Sequence, residues 1–147
     1  LDLMIHDIDL CLLLINDKIK KINAYGSSII TNSIDMANVR LEFSKGITAN
    51  LTASRVSLKN MRQMRIFQKK SYSVLDFQKP SLNTWKINRG GVLRGKKENI
   101  IETNALFQEL QAFVLSIQKD LPVAVGAEEA LMALNIASQI QTKIGKK

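Results

Sequence analysis

The sequence predicts an α+β domain with an open, mostly antiparallel β-sheet and helices on one face of that sheet. Apolar residues recur at helical spacing near both ends of the chain, alternating apolar and polar residues fill the middle, and short polar turns join the alternating segments. At 147 residues and 46% hydrophobic content, the chain is long enough for one real core. We therefore predict a single domain over residues 1–147.

The chain opens with "LDLMIHDIDLCLLLI", where residues 3–15 predict a helix buried nearly all round and Asn16-Asp17 end it. Cys11 is the single cysteine, and its apolar neighbours favour a buried, inert thiol in a reducing, cytoplasmic compartment. The apolar run 10–15 is far shorter than the roughly 20 residues of a membrane span. Aspartates also stand where a signal peptide is positively charged, so neither membrane insertion nor export is predicted.

The central strands have the clearest pattern. Short strand-like spacing occurs at 20–24 and at 29–30, and "MANVRLEF" (36–43) then alternates as a half-buried strand does. "ITANLTAS" (47–54) alternates again after a turn in which Gly46 can supply the positive φ of an antiparallel hairpin. The polar side of this hairpin carries short Asn, Thr and Ser side chains, which suit contact with a ligand or another subunit as well as with water.

The second half of the chain predicts further strands and two helices. "MRIF" and "YSVLDF" predict another hairpin, and "NTWKI" predicts a strand before a loop at Gly90-Gly91. "NALFQELQAFVLSIQ" predicts a helix with Asn104 as its N-cap, and a final helix starts at about Ala127. The final helix carries charges that suit its dipole, namely Glu128 and Glu129 in the first turn and Lys143, Lys146 and Lys147 near its end.

The formal charge of +8 is concentrated in two basic clusters. Six basic residues and no acidic residue lie between Arg55 and Lys70, and a second cluster extends from Arg89 to Lys97. A solvated basic edge is the ordinary interpretation of such clusters. We do not expect a nucleic-acid partner, because aromatic residues make up only 5% of the chain and predict no stacking stripe of the kind that single-strand binders use.

Two other patterns have weak chemical interpretations. "GGVLRGKK" fits G-x-x-x-x-G-K, but Lys97 stands where a hydroxyl should bind Mg²⁺ and no strand–loop–helix unit surrounds it, so a basic loop is predicted. A zinc site lacks ligands in a chain with one histidine and one cysteine, so no metal is expected.

Asp2 and His6 are the best catalytic candidates. Their spacing of four places a carboxylate and an imidazole on one helical face, about one turn apart. A carboxylate in that position can fix the imidazole tautomer and raise its basicity, as a general base for a hydroxyl proton requires. A purely structural histidine beside apolar residues is the alternative interpretation.

Four segments, in order, resemble the C-terminal half of the Gfo/Idh/MocA oxidoreductases: "DLMIHDIDLCLLL", "VRLEFSKGITANLTASRVS", "RIFQKKSYSVLDF" and "PVAVGAEEALMALNIA". These are NAD(P)-dependent enzymes that act mostly on sugars, cyclitols and nucleotide sugars. Their second domain is an open, mostly antiparallel sheet with helices, used for substrate binding and oligomerisation. The resemblance implies that His6 takes the proton of a substrate hydroxyl as hydride passes to nicotinamide, that Asp2 orients or polarises, and that the chain forms a homo-oligomer such as a dimer.

Two elements of the family are missing from the 147 residues. No G-x-G-x-x-G follows a strand, and no E-K-P element carries an active-site lysine. We therefore expect the chain to be a fragment without the N-terminal Rossmann domain. NAD or NADP is expected in the full-length protein, whereas the fragment alone is expected to bind no cofactor and to be inactive.

Within the family, "ANLTASRVSLKNMRQMRIFQ" is most similar to the branch that oxidises the 3-hydroxyl of UDP-N-acetylglucosamine. A nucleotide-sugar substrate would give the basic stretch a use, because arginine pairs with phosphate through two parallel hydrogen bonds. The substrate-binding candidates are Arg55, Lys59, Arg62 and Arg65, although alternation along a strand prevents all of them from facing one site. A hypothesis from a different class is a non-catalytic module that dimerises through the small polar face of the sheet.

Overall fold

A computed structural model describes residues 2–101 and 103–145, with the backbone alone described for residues 2 and 3. Over these residues the chain forms three helices and seven strands, and the α+β class is confirmed. The elements in chain order are α1 (Asp2–Ile15), β1 (Ile19–Ser27), β2 (Met36–Phe43), β3 (Thr48–Ser54), β4 (Gln63–Gln68), β5 (Ser71–Asp76), β6 (Ser81–Ile87), β7 (Leu93–Asn99), α2 (Ala105–Lys119) and α3 (Ala127–Gly145).

The chain divides into two compact units, each with its own antiparallel sheet. Unit 1 comprises Leu1–Ser57 and Ser116–Lys147 and contains the sheet β1-β2-β3. Unit 2 comprises Leu58–Leu115 and contains the sheet β4-β5-β6-β7, with its strands in sequence order. The strands are thus antiparallel as predicted, but they form two sheets where one was expected. The division falls at residues 55–62, which belong to no strand.

The hydrophobic core of unit 1 lies between α1, α3 and one face of its sheet. Alternation along β2 turns Val39, Leu41 and Phe43 towards the helices, and the register places Ile22 and Ala49 beside Leu41 on that face. This confirms the predicted packing of helices on one face. The buried side chains are Met4, Ile8 and Cys11 of α1, Ile22, Ala24, Val39, Leu41, Phe43 and Leu51 of the strands, and Ala133, Ala137, Ile140 and Ile144 of α3.

Helix α1 is buried on one side only. Met4, Ile8 and Cys11 face the core, whereas the Leu13 and Leu14 side chains are 71% and 57% exposed. The prediction of a helix buried nearly all round was therefore wrong, because α1 contributes only one stripe of side chains to the core. The helix ends where predicted, since Asn16 follows it with a left-handed φ of 45°.

Cys11 is buried as predicted. Burial, with a smaller contribution from the nearby Asp7 carboxylate, raises the pKa of its thiol to about 11. A thiol with such a pKa stays protonated at neutral pH, and the protonated form is a poor nucleophile.

The β1–β2 connection is organised by one buried carboxylate. Asp35, 3% exposed, accepts backbone N–H bonds of 2.8–2.9 Å from Ile29, Ile30 and Thr31, and the Thr31 hydroxyl also donates to it. These bonds favour the ionised form and hold the pKa of Asp35 well below its usual range. The strand-like interpretation of 29–30 was wrong, because these amides bind a side chain and not a neighbouring strand.

The hairpin β2–β3 confirms the alternation in the sequence. β2 has the predicted bounds, β3 begins one residue later than predicted, and Gly46 in the turn has a φ of 86°. The Gly46 amide donates to the Phe43 carbonyl at 3.0 Å and closes the turn.

Unit 2 contains one strand more than the sequence predicted. β4, β5 and β6 lie at the predicted segments, but residues 93–99 form β7 where a basic loop was expected. Gly90 and Gly91 lie in the β6–β7 turn, where the Asn88 side-chain oxygen accepts the Val92 N–H at 3.0 Å. The G-x-x-x-x-G-K pattern thus runs through a hairpin, which is not the loop before a helix that binds phosphate in nucleotide-binding proteins.

Helices α2 and α3 begin as predicted. The Asn104 side chain accepts the Phe107 N–H at 3.0 Å, which confirms the N-cap of α2. Glu128 and Glu129 lie in the first turn of α3 and Lys143 in its last, while Lys146 and Lys147 lie outside the described residues. In the part of the chain that the structure describes, no helix is both long and apolar enough to cross a membrane.

Candidate functional site

His6 lies on the exposed side of α1. It is two residues from Met4 and two from Ile8, which corresponds to about 200° around the helix, so its side chain points away from the core that those residues enter. His6 therefore does not pack inside the core. An exposed imidazole can meet a ligand and accept a proton from it.

Asp2 belongs to the same helix, four positions before His6. This spacing places the two backbone positions one turn apart on the same side of α1. The Asp2 side chain lies outside the described residues. The helical arrangement of the pair is thus in place, and the carboxylate–imidazole contact stays a prediction.

The outer face of the three-stranded sheet is a second polar surface. Cross-strand register aligns Asn23, Arg40 and Asn50 in one row, and Tyr25, Asn38 and Thr52 in the next. These six side chains line an open, shallow depression of about 380 Å³. The Thr52 hydroxyl donates to the Asn38 side-chain oxygen at 2.8 Å, which fixes part of this surface.

The outer sheet face and His6 point to opposite sides of unit 1. Side chains alternate along β2, so Leu41 enters the core below α1 while Arg40 faces away from it. His6 in turn lies on the side of α1 that faces away from the same core. These two surfaces therefore cannot form one site within this unit.

The four basic candidates for substrate binding are divided between the two units. Arg55 belongs to unit 1 and its backbone N–H donates to the Asp35 carbonyl at 2.9 Å, whereas Lys59, Arg62 and Arg65 belong to unit 2. The guanidinium carbon of Arg62 lies 5.5 Å from the centre of the Phe77 ring, a cation–π distance. Lys59 is exposed in the segment before β4, and Arg65 is exposed on β4 itself.

An aromatic stack crosses unit 2, defined here as the rings of Phe67, Tyr72 and Trp85. Ring centres of Phe67 and Tyr72 are 4.7 Å apart and those of Tyr72 and Trp85 are 5.3 Å apart, with interplanar angles of 26° and 22°. The strand register continues this row to Gly95 on β7. Composition predicted no stacking stripe of the kind that single-strand binders use, and these three rings stack on one another. The two-residue turn at Lys69-Lys70, which places Phe67 opposite Tyr72, was the signal that could have revealed the first pair.

Unit 2 carries nearly all of the net charge. Its residues 58–115 include eleven Lys or Arg and four Asp or Glu, a net charge of +7, which leaves +1 for unit 1. The Lys96 ammonium and Glu98 carboxylate form an exposed ion pair of 2.8 Å on β7. A surface with this excess of positive charge attracts anions.

The described residues do not form a Rossmann dinucleotide site. A Rossmann site needs a glycine-rich loop between a parallel strand and a helix, and the two sheets of this chain are antiparallel. The Gly90-Gly91 turn joins two strands instead. Among the described residues, no group of three or more His, Cys, Asp or Glu could hold a metal ion.

The family model of the GFO/IDH/MocA C-terminal domain matches residues 1–72. Over 149 aligned residues, the chain is 32% identical to UDP-N-acetylglucosamine 3-dehydrogenase from Acidithiobacillus ferrooxidans, and the alignment covers 98% of this chain. The chain belongs to the GFO/IDH/MocA family. Its resemblance to the C-terminal half of these oxidoreductases, seen first in the four sequence segments, is thereby confirmed.

Solved structures agree with this assignment. The crystallised dehydrogenase from Acidithiobacillus ferrooxidans superposes with a TM-score of 0.88 at 32% identity, over 96% of this chain and 45% of that one. The oxidoreductase domain protein from Kribbella flavida has a TM-score of 0.84 at 14% identity, over 99% of this chain and 47% of that one, which shows a shared fold. The chain spans about half the length of these members of the GFO/IDH/MocA family.

Proposed function

We propose that this GFO/IDH/MocA chain is the substrate-binding domain of an oxidoreductase that oxidises a hydroxyl of a sugar or nucleotide sugar, with His6 as the general base. One observation carries the proposal: the Asp2-x-x-x-His6 element lies on α1 with His6 exposed on the side away from the core. The 32% identity to a UDP-N-acetylglucosamine 3-dehydrogenase supports the 3-hydroxyl of UDP-N-acetylglucosamine as the reacting group.

The role of each residue follows from the chemistry of alcohol oxidation. Converting a secondary alcohol to a ketone removes a proton from the hydroxyl oxygen and a hydride from the carbon. A neutral His6 imidazole can accept that proton, and Asp2 can hold the ring through its other nitrogen. In the full-length protein, NAD or NADP would supply the acceptor for the hydride.

The dinucleotide is proposed to bind to a part of the full-length protein outside these 147 residues. The antiparallel sheets of the described residues support this assignment, since neither contains a strand–loop–helix unit for the pyrophosphate. The 147 residues then form one functional domain that is inactive alone. A cytoplasmic location is part of the proposal, because the buried Cys11 suits a reducing compartment.

Mutation of His6 tests the proposal directly. In the full-length enzyme, His6→Ala should lower kcat with UDP-N-acetylglucosamine by about a hundredfold or more, the usual scale for removing a general base. Asp2→Asn should lower it less, because a residue that orients the base does not itself accept the proton. Steady-state assays of dinucleotide reduction measure both effects.

The matched control is Asp9→Asn, which changes a polar side chain on the same helix one turn beyond His6. This variant should keep kcat within about threefold, since it leaves the proposed base in place. A His6→Ala enzyme with near-normal turnover would remove His6 from the chemistry.

A second proposed function is homo-oligomerisation through the outer face of the three-stranded sheet. The surface favours it, since rows of Asn, Thr, Tyr and Arg side chains line a shallow depression that the helices of unit 1 leave open. A twofold interface pairs one patch with itself, and amides are both donors and acceptors, so such a patch can be self-complementary. Light scattering should give a dimer or larger species, and a strictly monomeric protein at high concentration would contradict this.

A further inference from the structure

We propose that the open end of the aromatic stack in unit 2 binds a nucleoside diphosphate, with the base on the ring of Phe67 and the phosphates on Arg65. This proposal rests on the nucleotide-sugar substrate class proposed above, and it names two residues of β4 that would recognise a nucleoside diphosphate.

The stack has one closed end and one open end. Its inner ring faces cover each other at 4.7 Å and 5.3 Å. At the β7 end, Trp85 leans over Gly95 so closely that a Cβ on this glycine would lie 3.0 Å from the indole Nε1 and 3.1 Å from Cδ1. The far face of Trp85 therefore lies against backbone, and no further ring fits there.

At the other end, Phe67 lies on β4, the edge strand of the sheet, and its side chain is 76% exposed. Tyr72 covers one of its faces, so the face directed away from the sheet can accept one planar ring. Stacking of a nucleobase on an aromatic side chain tolerates any base and contributes substantially to binding. A single free ring face can stack with only one base, whereas a protein that binds single-stranded nucleic acid needs several exposed rings for successive bases.

Arg65 lies where its guanidinium can contact the phosphates of such a ligand. It is exposed on the same face of β4, two residues from Phe67, so their Cα atoms are about 7 Å apart. A ribose spans a similar separation between base and phosphate. Arg65 has no ion-pair partner among the described residues, and a guanidinium matches a phosphate through two parallel hydrogen bonds.

The surrounding charge also favours a diphosphate. Unit 2 has a net charge of +7, and the nearest carboxylate on this sheet face, Asp76, is one row beyond Arg65. That carboxylate already accepts hydrogen bonds of 2.9 Å from the Gln63 side chain and from the backbone N–H groups of Gln78 and Lys79. These hydrogen bonds fix the position of the carboxylate, and the excess of positive charge in unit 2 attracts anions.

Calorimetric titration of the full-length protein with uridine diphosphate tests the proposal. Phe67→Ala and Arg65→Gln should each raise Kd about tenfold, the scale of losing one base–ring stack or one charge-assisted pair. The matched controls are Phe107→Ala, an exposed phenylalanine of α2, and Arg94→Gln, an arginine on the opposite face of the same sheet. Both controls should keep Kd within about twofold.

A second titration with inorganic pyrophosphate separates the two contacts. Arg65→Gln should weaken pyrophosphate binding, and Phe67→Ala should leave it unchanged because pyrophosphate has no ring to stack. Equal effects of Phe67→Ala and Phe107→Ala on uridine diphosphate would overturn the proposal. So would an oligothymidylate that binds more tightly than uridine diphosphate, since it would indicate a nucleic-acid surface.

The outcome is distinguishable from failure of the proposed enzyme function. If His6→Ala lowers turnover but Phe67→Ala leaves the Kd for uridine diphosphate unchanged, only the nucleotide site is rejected. Nucleotide binding that depends on Phe67 and Arg65, in a protein without dehydrogenase turnover, would support this site and reject the enzyme function.

Discussion

The two sheets of this chain have the same antiparallel pairing, but only one of them has a core. Among the described residues, all thirteen buried hydrophobic side chains belong to unit 1, where α1 and α3 cover one sheet face. In unit 2, no described side chain is buried, and the four strands are held by backbone ladders, the aromatic stack and side-chain pairs between strands. The comparison shows that turns and cross-strand pairs are enough to form a regular sheet, as in unit 2. A buried core also requires helices packed on one face of the sheet, as in unit 1.

The same contrast applies to charge. Unit 1 is nearly neutral at +1, and unit 2 carries +7. Positive charge on exposed strands discourages edge-to-edge pairing between copies and attracts anionic ligands. Unit 1 thus has the properties of a scaffold for the exposed His6, and unit 2 has those of a contact surface.

The largest expected effect is in the core of unit 1. Leu41 is 0% exposed at the centre of the sheet, so Leu41→Ala should lower the free energy of unfolding by about 3 kcal/mol through lost contacts and a residual cavity. Urea denaturation followed by helical circular dichroism measures it. The control is Leu58→Ala in unit 2, whose fully exposed side chain should cost less than about 0.5 kcal/mol. A similar loss in the free energy of unfolding for the two variants would contradict the difference in burial between the units.

A smaller effect, dependent on pH, is expected at Asp35 of unit 1. Its folded-state pKa is lowered by backbone and hydroxyl donors, so its ionised form stabilises the fold above the unfolded pKa of about 3.9, and this stabilisation is lost as pH falls below that value. Asp35→Asn should therefore be less stable than the natural protein at pH 7, and the difference should narrow below about pH 4. Denaturation midpoints at pH 7, 5 and 3 measure this.

The matched variant for Asp35 is Thr31→Val, which removes only the hydroxyl donor to the same carboxylate. It should lose less stability than Asp35→Asn and retain most of the pH dependence, because three backbone donors remain. A difference between Asp35→Asn and the natural protein that does not change with pH would argue against the ionised carboxylate as the source.

The smallest effect is expected in unit 2. Tyr72→Ala removes the middle ring of the aromatic stack and should cost about 1 kcal/mol, the scale of a cross-strand aromatic pair on a partly exposed face. Trp85 is the single tryptophan of the chain, so its fluorescence reports this loss within unit 2. Tyr72→Phe keeps the ring and should change little. A loss as large as that of Leu41→Ala would mean that the stack acts as a core.

The sequence predicted the elements whose alternation or periodicity is strong. β2 was placed to the residue, and the Asn104 cap and the Gly46 turn were found, because each depends on local chemistry. β7 was missed because "LRGKKEN" carries no apolar alternation and becomes a strand only by pairing with β6. Its ladder partner, not its own side chains, determines its conformation.

The candidate site was predictable in part for a related reason. The spacing of Asp2 and His6 predicted backbone positions on one side of a helix, and α1 contains both, while their catalytic roles stay a prediction. The aromatic stack and the separation of the four basic candidates between two units depend on strand register and on the break at residues 55–62, neither of which a single sequence specifies.

The absence of buried side chains among the described residues of unit 2 has an evolutionary consequence. Substitutions at exposed positions usually change stability by less than about 0.5 kcal/mol, so the exposed strand positions of the four-stranded sheet, which include all of β7, can vary without loss of the fold. The family model stops at residue 72, within this sheet, while it includes α1 and all three strands of unit 1. Substitutions at the buried positions of unit 1 therefore cost more free energy of unfolding than substitutions at the exposed positions of unit 2.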